Sequence, residues 1–342
     1  MSAPADDVSA RALIEALREP ALIVADGVVC ETNAAARKLL GDEIAGQEVA
    51  VAIPHPGAVE RLLAAGERTG EVELVGLGES RRHWLMRLAP LTGAAQLVRF
   101  LDRSEARAAE QMRTDFVANA SHELRTPLAT LVGYAETLRE EADALDAPTR
   151  ERFTAIVHEE ARRMQRLVED LISLSRIEAE RFNRPRDALA LMPLVEEARG
   201  ACCGATADRD CDIRIEAASD LPPVAGDRSE LLQLLDNLIS NAVRYGREGT
   251  PVRIGLERER DMVRLTVADE GEGIAPEHLS RITERFYRVD PSRSRALGGT
   301  GLGLSIVKHI VERHRGRLRF ESAPGQGTRV HVLLPVAPEA LS

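Results

Sequence analysis

Aromatic residues are scarce, with six Phe, three Tyr and one Trp in 342 residues. The cores must therefore rest on Leu, Val, Ile and Ala. Cysteine is nearly absent too. Cys30, Cys202, Cys203 and Cys211 lack the paired spacing of a zinc site. An adjacent Cys202-Cys203 pair is also a poor disulfide framework, so free thiols are expected. No apolar run approaches the roughly 20 residues of a membrane helix; the best candidate, Ala21 to Cys30, is interrupted by Asp26 and Gly27. The opening stretch, MSAPADDVSA, is acidic and has no hydrophobic signal region. A cytoplasmic chain is expected, sensing there or recruited by a membrane-bound or soluble signalling partner. Basic clusters are also missing, and the formal net charge is -10. Binding DNA requires a basic face that releases counterions, so nucleic acid is excluded as the main partner.

Hydrophobic content of 44% and charged content of 29% suit folded protein, and the length implies two or three domains. Residues 1–103 read as a small α/β domain. Two apolar runs, Ala21–Ala25 and Val28–Cys30, are hinged by Asp26-Gly27, a hairpin signal. A helix follows from about Asn33 to Leu40, ended by Gly41. Strand-like runs come at Glu71–Val75, His83–Leu88 and Ala95–Leu101. This order resembles a compact PAS sensor domain. His55, between Pro54 and Pro56, reads as a solvated loop histidine rather than a haem ligand.

Residues 104–182 carry sustained helical periodicity. Val157, Met164 and Leu171 recur every seven residues, joined by Phe153, Leu167 and Leu174. Phe116, Ala120, Leu124, Leu128, Leu131, Ala135 and Leu138 share a face of a preceding helix. A turn near Leu145–Pro148 divides the two, with Asp146 as N-cap. Two helices cannot bury both faces between themselves, so a homodimeric four-helix bundle is expected. Residues 188–338 mix half-buried strands (Val252–Leu256, Met262–Val267, and Val330, Val332, Leu334) with helices. Asp227 with Glu230 makes a capping box before the helix through Leu231 to Tyr245.

Four motifs carry chemistry. The run Phe116 to Leu128 contains Ser121-His122-Glu123-Leu124-Arg125-Thr126-Pro127. A helical His among polar residues can present Nε2 as a nucleophile. A neighbouring carboxylate can accept from Nδ1 and raise its nucleophilicity. Pro127 removes a helical hydrogen bond and kinks the helix. Next, Asn237 and Asn241 stand four apart on one helix face, two oxygen donors suited to Mg²⁺ that shares its shell with phosphates. They are followed by Arg244 and Tyr245. Third, Asp269-Glu270-Gly271-Glu272-Gly273-Ile274 follows a strand; alone it also fits a calcium loop or a plain turn. Fourth, Gly298-Gly299-Thr300-Gly301-Leu302-Gly303-Leu304 opens a helix, a phosphate-receiving arrangement. A Rossmann fingerprint fails because Leu304 stands at its third glycine, and a Walker A loop fails because Lys308 follows no glycine.

In this order the motifs resemble the two-component sensor histidine kinases over about residues 104 to 336, closest to the phosphate-regulon sensor kinase type. The resemblance implies a phospho-acceptor box around His122 and a Bergerat-type α/β sandwich that binds ATP. Arg244 stands where relatives usually carry Lys, and keeps the charge but not its point geometry. Asp269 would read the adenine amine, with Gly271, Gly273 and Ile274 around it. Residues Gly299 to Leu304 would receive the phosphates, and Thr328 in Gly325-Gln326-Gly327-Thr328 would lie near adenine. Arg281 to Asp290 resembles the ATP lid, with Thr283 where Phe is common and Arg288 toward the terminal phosphates. The implied cofactors are ATP and Mg²⁺, held by Asn237 and Asn241. The implied reaction is autophosphorylation of His122, prepared by Glu123, then transfer to an aspartate of a cognate response regulator. Thr126 would orient water for the reverse, dephosphorylating reaction. A flexible join near Phe182–Asp187 would let the ATP domain swing. Two rivals are an ATPase or serine kinase on the same fold, which predicts no acceptor box, and an inactive scaffold, which predicts loss of His122, Asn241 or Asp269.

Overall fold

The structure is a computed structural model that describes residues 10–64, 69–78, 82–141, 144–180, 182–205, 212–290 and 299–338. Two compact units divide the chain, Met1–Val117 and Ala118–Ser342.

In the first unit, α1 (Ala10–Glu15) precedes β1 (Ala21–Ala25) and β2 (Val28–Thr32). Asp26 and Gly27 hinge the two strands with φ of 52° and 78°, the left-handed pair that matches a two-residue turn to strand twist. Helices α2 (Ala34–Leu40), α3 (Val49–Ala52) and α4 (Pro56–Leu63) follow, then β3 (Gly70–Val75), β4 (His83–Pro90) and β5 (Gln96–Asp102). The sheet is antiparallel, in the order β2-β1-β5-β4-β3. Its core includes Leu22, Ile53, Leu74, Met86 and Phe100. Buried Asn33 caps α2 and ties it to the chain before the sheet. Its oxygen accepts from Ala36 and Ala21 amides, and its amide donates to the Ile14, Leu17 and Glu19 carbonyls. His55 is not in a loop but at the N-cap position of α4, because Pro56 supplies a preset first helical residue.

Helix α5 (Ser104–Glu140) leads into α6 (Ala147–Ala179), and Asp146 caps α6 by accepting from the Thr149 amide at 3.0 Å. The helical span of α5 continues through Pro127. Across the hairpin, Tyr134 and Phe153 meet edge-on with centroids 4.9 Å apart. Beyond it, β6 (Asp187–Leu189) pairs with β8 (Val224–Gly226). Strands β7 (Ile213–Ala217), β9 (Val252–Glu259), β10 (Met262–Asp269), β11 (Arg317–Ser322) and β12 (Thr328–Pro335) make a sheet ordered β11-β12-β10-β9-β7, with β7 parallel to β9. Alternation puts Ile254, Leu256, Val263, Leu265, Val332 and Leu334 on its buried face. The helical layer is α7 (Leu191–Ala205), α8 (Arg228–Tyr245) and α10 (Gly303–Arg313), while short α9 (Pro276–Leu279) lies in the intervening loop.

Three further expectations are corrected. The capping box is half formed. Asp227 accepts from the Ser229 and Glu230 amides, but Glu230 does not return the bond, and the Asp227 amide donates instead to His314 Nε2 at 3.0 Å. Glu230 is taken by buried Arg313, whose charge needs a carboxylate more than the cap does. The same Arg313 donates to the Glu180 and Asn183 carbonyls at 3.2 and 3.1 Å and to Glu180 Oε2 at 2.7 Å. The join expected to be flexible is thus tied to α10 at its start. Finally, Cys30 and Cys202 form no disulfide but Cys203 is disulfide-bonded. Helical neighbours diverge by about 100°, so the adjacency of Cys202 does not constrain Cys203; Cys211 lies outside the described residues. Among the described residues no helix is long and apolar enough to cross a membrane.

Candidate functional site

A cavity of about 370 Å³ opens in the second unit. Asn237, Leu238, Asn241, Arg244 and Tyr245 line it from α8, which is anchored in the core by Leu231, Leu234, Leu235 and Ile239. Asn237 Nδ2 donates to the Gln233 carbonyl at 2.9 Å. Its Oδ1 is left facing Gly303, where a Cβ would come within 2.5 Å of it. Burial holds the Arg244 guanidinium below its ordinary range.

Asp269 ends β10 inside the cavity. Its Oδ1 accepts from the Gly271 amide at 2.8 Å and the Thr328 amide at 3.3 Å. Burial pushes the carboxyl up, against those two bonds. The glycines are there for closeness. A Cβ at Gly271 would lie 2.1 Å from the Tyr245 carbonyl, and one at Gly273, with φ +72°, 1.9 Å from that of Ala323. Ser322 Oγ then stitches the loops, accepting from the Ile274 amide at 2.8 Å and donating to the Gly327 carbonyl at 2.7 Å.

The glycine-rich segment feeds α10. Gly299, Thr300, Gly301, Gly303 and Leu304 line the cavity, and Leu302 is buried beneath them; Gly298 lies outside the described residues. The lid meets this loop where the Phe286 amide donates to the Gly301 carbonyl at 2.8 Å. Tyr287 is held by His278 Nδ1, 2.7 Å from its hydroxyl, and by Arg281 stacked 4.3 Å from the ring centroid.

His122 is exposed on α5. Glu123 does not hydrogen-bond its ring among the described residues. Glu123 Oε2 lies 3.0 Å from Arg288 and 3.5 Å from Arg163. Arg288, only 7% exposed in its side chain, also donates to the Gly299 carbonyl at 2.7 Å. The lid arginine therefore spans the acceptor helix and the glycine-rich loop. Thr126 Oγ1 donates to the His122 carbonyl at 3.4 Å, a long bond.

Sequence reasoning missed the contribution of α6. Arg166, Glu169 and Asp170 line the cavity, and Asp170 Oδ2 accepts from Thr300 Oγ1 at 2.7 Å. They lie off the apolar seam and read as a solvated face; no local spacing signals otherwise. Nearby, Glu178 pairs with Arg285 of the lid and lies 3.2 Å from His309 Nε2.

The donor set suits magnesium. The described residues contain no cluster of three or more His, Cys, Asp or Glu that could cage an ion. Two amide side chains at one-turn spacing offer the few hard oxygens of an ion that takes its other ligands from phosphates and water.

Residues 112–180 match the family described as the His Kinase A (phospho-acceptor) domain. Residues 226–338 match the Histidine kinase-, DNA gyrase B-, and HSP90-like ATPase family. The phosphate regulon sensor protein PhoR of Pseudomonas aeruginosa is 36% identical over 317 residues, 92% of this chain and 71% of PhoR. The sensor-like histidine kinase SenX3 of Mycobacterium tuberculosis is 42% identical over 240 residues, 70% of this chain and 58% of SenX3. Against SenX3 the chain thus spans under two thirds of the relative's length. Among solved structures, the Acinetobacter baumannii histidine kinase AdeS aligns with a TM-score of 0.50 at 26% identity, over 63% of this chain and 98% of that one. Histidine kinase ThkA, in complex with response regulator protein TrrA, aligns at 0.52 with 21% identity over 97% and 99%; that likeness is of fold alone.

Proposed function

Since the chain belongs to the two-component sensor histidine kinases of the phosphate-regulon type, we propose that ATP occupies the cavity and that His122 is the residue phosphorylated. The chain is a protein-histidine kinase: it autophosphorylates from ATP and transfers the phosphoryl group to a response regulator. The observation that carries the assignment to His122 is Arg288, which joins Glu123, beside His122, to the glycine-rich loop.

Phosphoryl transfer asks for positioning and charge neutralisation more than covalent chemistry. Asp269 accepts from the adenine amine, within the loops that Gly271, Gly273, Ile274 and Thr328 bring together. Arg244, Tyr245 and the amides of Gly299 to Leu304 meet the phosphates. Arg288 leaves Glu123 for the terminal phosphate, and Glu123 then accepts from His122 Nδ1 as Nε2 attacks the γ-phosphorus and ADP departs. Asn237 and Asn241 would hold Mg²⁺, which when bound neutralises phosphate charge. A regulator aspartate next takes the phosphoryl group; the solved ThkA–TrrA complex is a kinase fold with such a regulator.

The division 1–103, 104–182 and 188–338 follows from these roles. The antiparallel order β2-β1-β5-β4-β3 supports a PAS-like sensor domain. Exposed Leu128, Val132, Val168 and Ile172 support a homodimer through the hairpin. ATP as substrate supports a cytoplasmic location for both sites. The regulator-dephosphorylating role falls to Thr126, whose long bond to its own helix is readily given up.

Incubation with γ-labelled ATP tests the assignment. His122→Gln should carry no acid-labile label, and retained label would move the acceptor elsewhere. Thr126→Ala should autophosphorylate normally yet dephosphorylate its regulator about 10²-fold more slowly, the weight of a group that positions the attacking water. Unchanged dephosphorylation would leave a kinase only.

A further inference from the structure

Asp170 enters the cavity from the hairpin, outside every nucleotide motif. Its Oδ2 accepts from Thr300 Oγ1 at 2.7 Å, on the loop that opens α10. Burial and neighbouring Glu169 push its carboxyl toward the neutral form, while the Thr300 bond, Arg166 and Arg244 favour the anion. Arg166, Asp170, Arg244 and Thr300 all line the same cavity, with Asn237 and Asn241. A carboxylate oxygen is thus already lodged against a hydroxyl, in a cavity that it shares with two guanidinium groups and the loop that opens α10. Those are the donors an outer phosphate would recruit.

We propose that Asp170 is a built-in phosphate mimic: with α6 against the glycine-rich loop, its carboxylate takes a place that an outer phosphate of the nucleotide must claim. The inference rests on reading the cavity as an ATP site. A carboxylate and a phosphate cannot share Thr300, because like charges at contact distance in a partly desolvated site repel strongly. Triphosphate entry therefore withdraws Asp170 from Thr300 and loosens α6 from the loop. Hairpin docking and ATP binding compete, so any signal that presses α6 against the loop lowers ATP affinity without touching the adenine end.

Asp170→Asn separates this from a plain docking contact, since it keeps the shape and an acceptor oxygen and removes the charge. Dissociation constants for ATP, ADP and adenosine are measured with Mg²⁺ on the full chain, after a melt checks the fold. ATP should bind the variant about tenfold more tightly and ADP a few-fold, with adenosine unchanged, and the ATP gain should shrink in high salt as charge is screened. An equal change for all three ligands, or none, overturns the mimic. If Asn impairs folding, Asp170→Ala must give the same phosphate-dependent ordering. Failure of the unmodified chain to bind either ATP or ADP would instead overturn the reading of the cavity, a different and recognisable result.

Discussion

Helix α8 buries Glu230, Leu231, Leu234, Leu235, Leu238, Ile239 and Ala242 in 18 residues, whereas α6, with 33, buries Arg163, Leu167, Leu174 and Ile177. Those four lie in the second half of α6, nearer the sandwich. On the hairpin, Leu128 stays 50% exposed and Ile172 64%. The sandwich closes its own core and fixes the loops at Gly271, Gly273 and Gly327 by contacts that tolerate no added atom. The hairpin holds its apolar stripe open and meets the sandwich through polar side chains, Asp170, Glu123 and Glu178. A buried polar seam can be broken and remade where an incoming ligand takes over its partners, whereas a packed core cannot. The moving part of the enzyme is therefore expected at the seam, with the nucleotide site carried as a rigid body.

The rigid side is broken most severely at Gly273. An alanine there needs φ +72° and sets Cβ 1.9 Å from the Ala323 carbonyl. Gly273→Ala should cost roughly 3–5 kcal/mol and abolish nucleotide binding, read by thermal melts and titration. Gly249, at φ +76° with nothing within 4 Å of a Cβ, is the control; there alanine should cost only about 1 kcal/mol. Equal losses at both sites would mean that strain, not loop contact, matters at Gly273.

On the open side the effect should move from stability to assembly. Ile172→Asp changes a residue that is 64% exposed in the chain by itself, so the sandwich should melt within about 0.5 kcal/mol of the unmodified protein. Light scattering should nonetheless show a shift from dimer to monomer, because the charge would be buried at the bundle seam. Leu238→Ala should do the reverse, costing about 2–5 kcal/mol and leaving the mass unchanged. A dimer that survives Ile172→Asp would place the interface elsewhere.

The same contrast explains what could be read from the sequence. The Asp26-Gly27 turn, the Asp146 cap and the alternation of β9, β10 and β12 depend on residues a few positions apart. Spacing carries that information. Asp170 meets Thr300 across 130 positions and Glu123 meets Arg288 across 165, and no periodicity encodes such pairs. Glu230 shows the two levels in conflict. Its spacing from Asp227 promises a capping box, but Arg313, 83 positions on, claims the carboxylate. The motifs gathered the nucleotide-facing residues because each is short; the wall supplied by α6 belongs to no motif.

The smallest predicted effect concerns His314, which replaces Glu230 at that cap. Its side chain is 0% exposed. Nε2 accepts from the Asp227 amide at 3.0 Å and Nδ1 lies 2.8 Å from the Ile310 carbonyl. One nitrogen must accept and the other must donate, so the fold holds the neutral ring with its proton on Nδ1. Burial pulls its pKa below 6.5; the Ile310 carbonyl, Glu230 and Asp227 draw it up, and Arg313 pushes it down. The unfolded chain then takes up a proton at a pH where the folded chain does not. Stability from this group is complete above 6.5 and is lost as pH falls through the window between 6.5 and the folded value, by at most about 1.4 kcal/mol per pH unit. Asp170, Asp236 and Asp269 shift upward from 3.8; mild acidification through their own range favours the fold, which is the opposite sign. Melting temperature should therefore fall between pH 7 and 5 in the unmodified protein. His314→Gln, whose amide oxygen can still accept from Asp227, should melt somewhat lower at pH 7 but with a flatter slope. Parallel slopes for the two proteins would show that protonation of His314 does not govern the acid side of the stability curve.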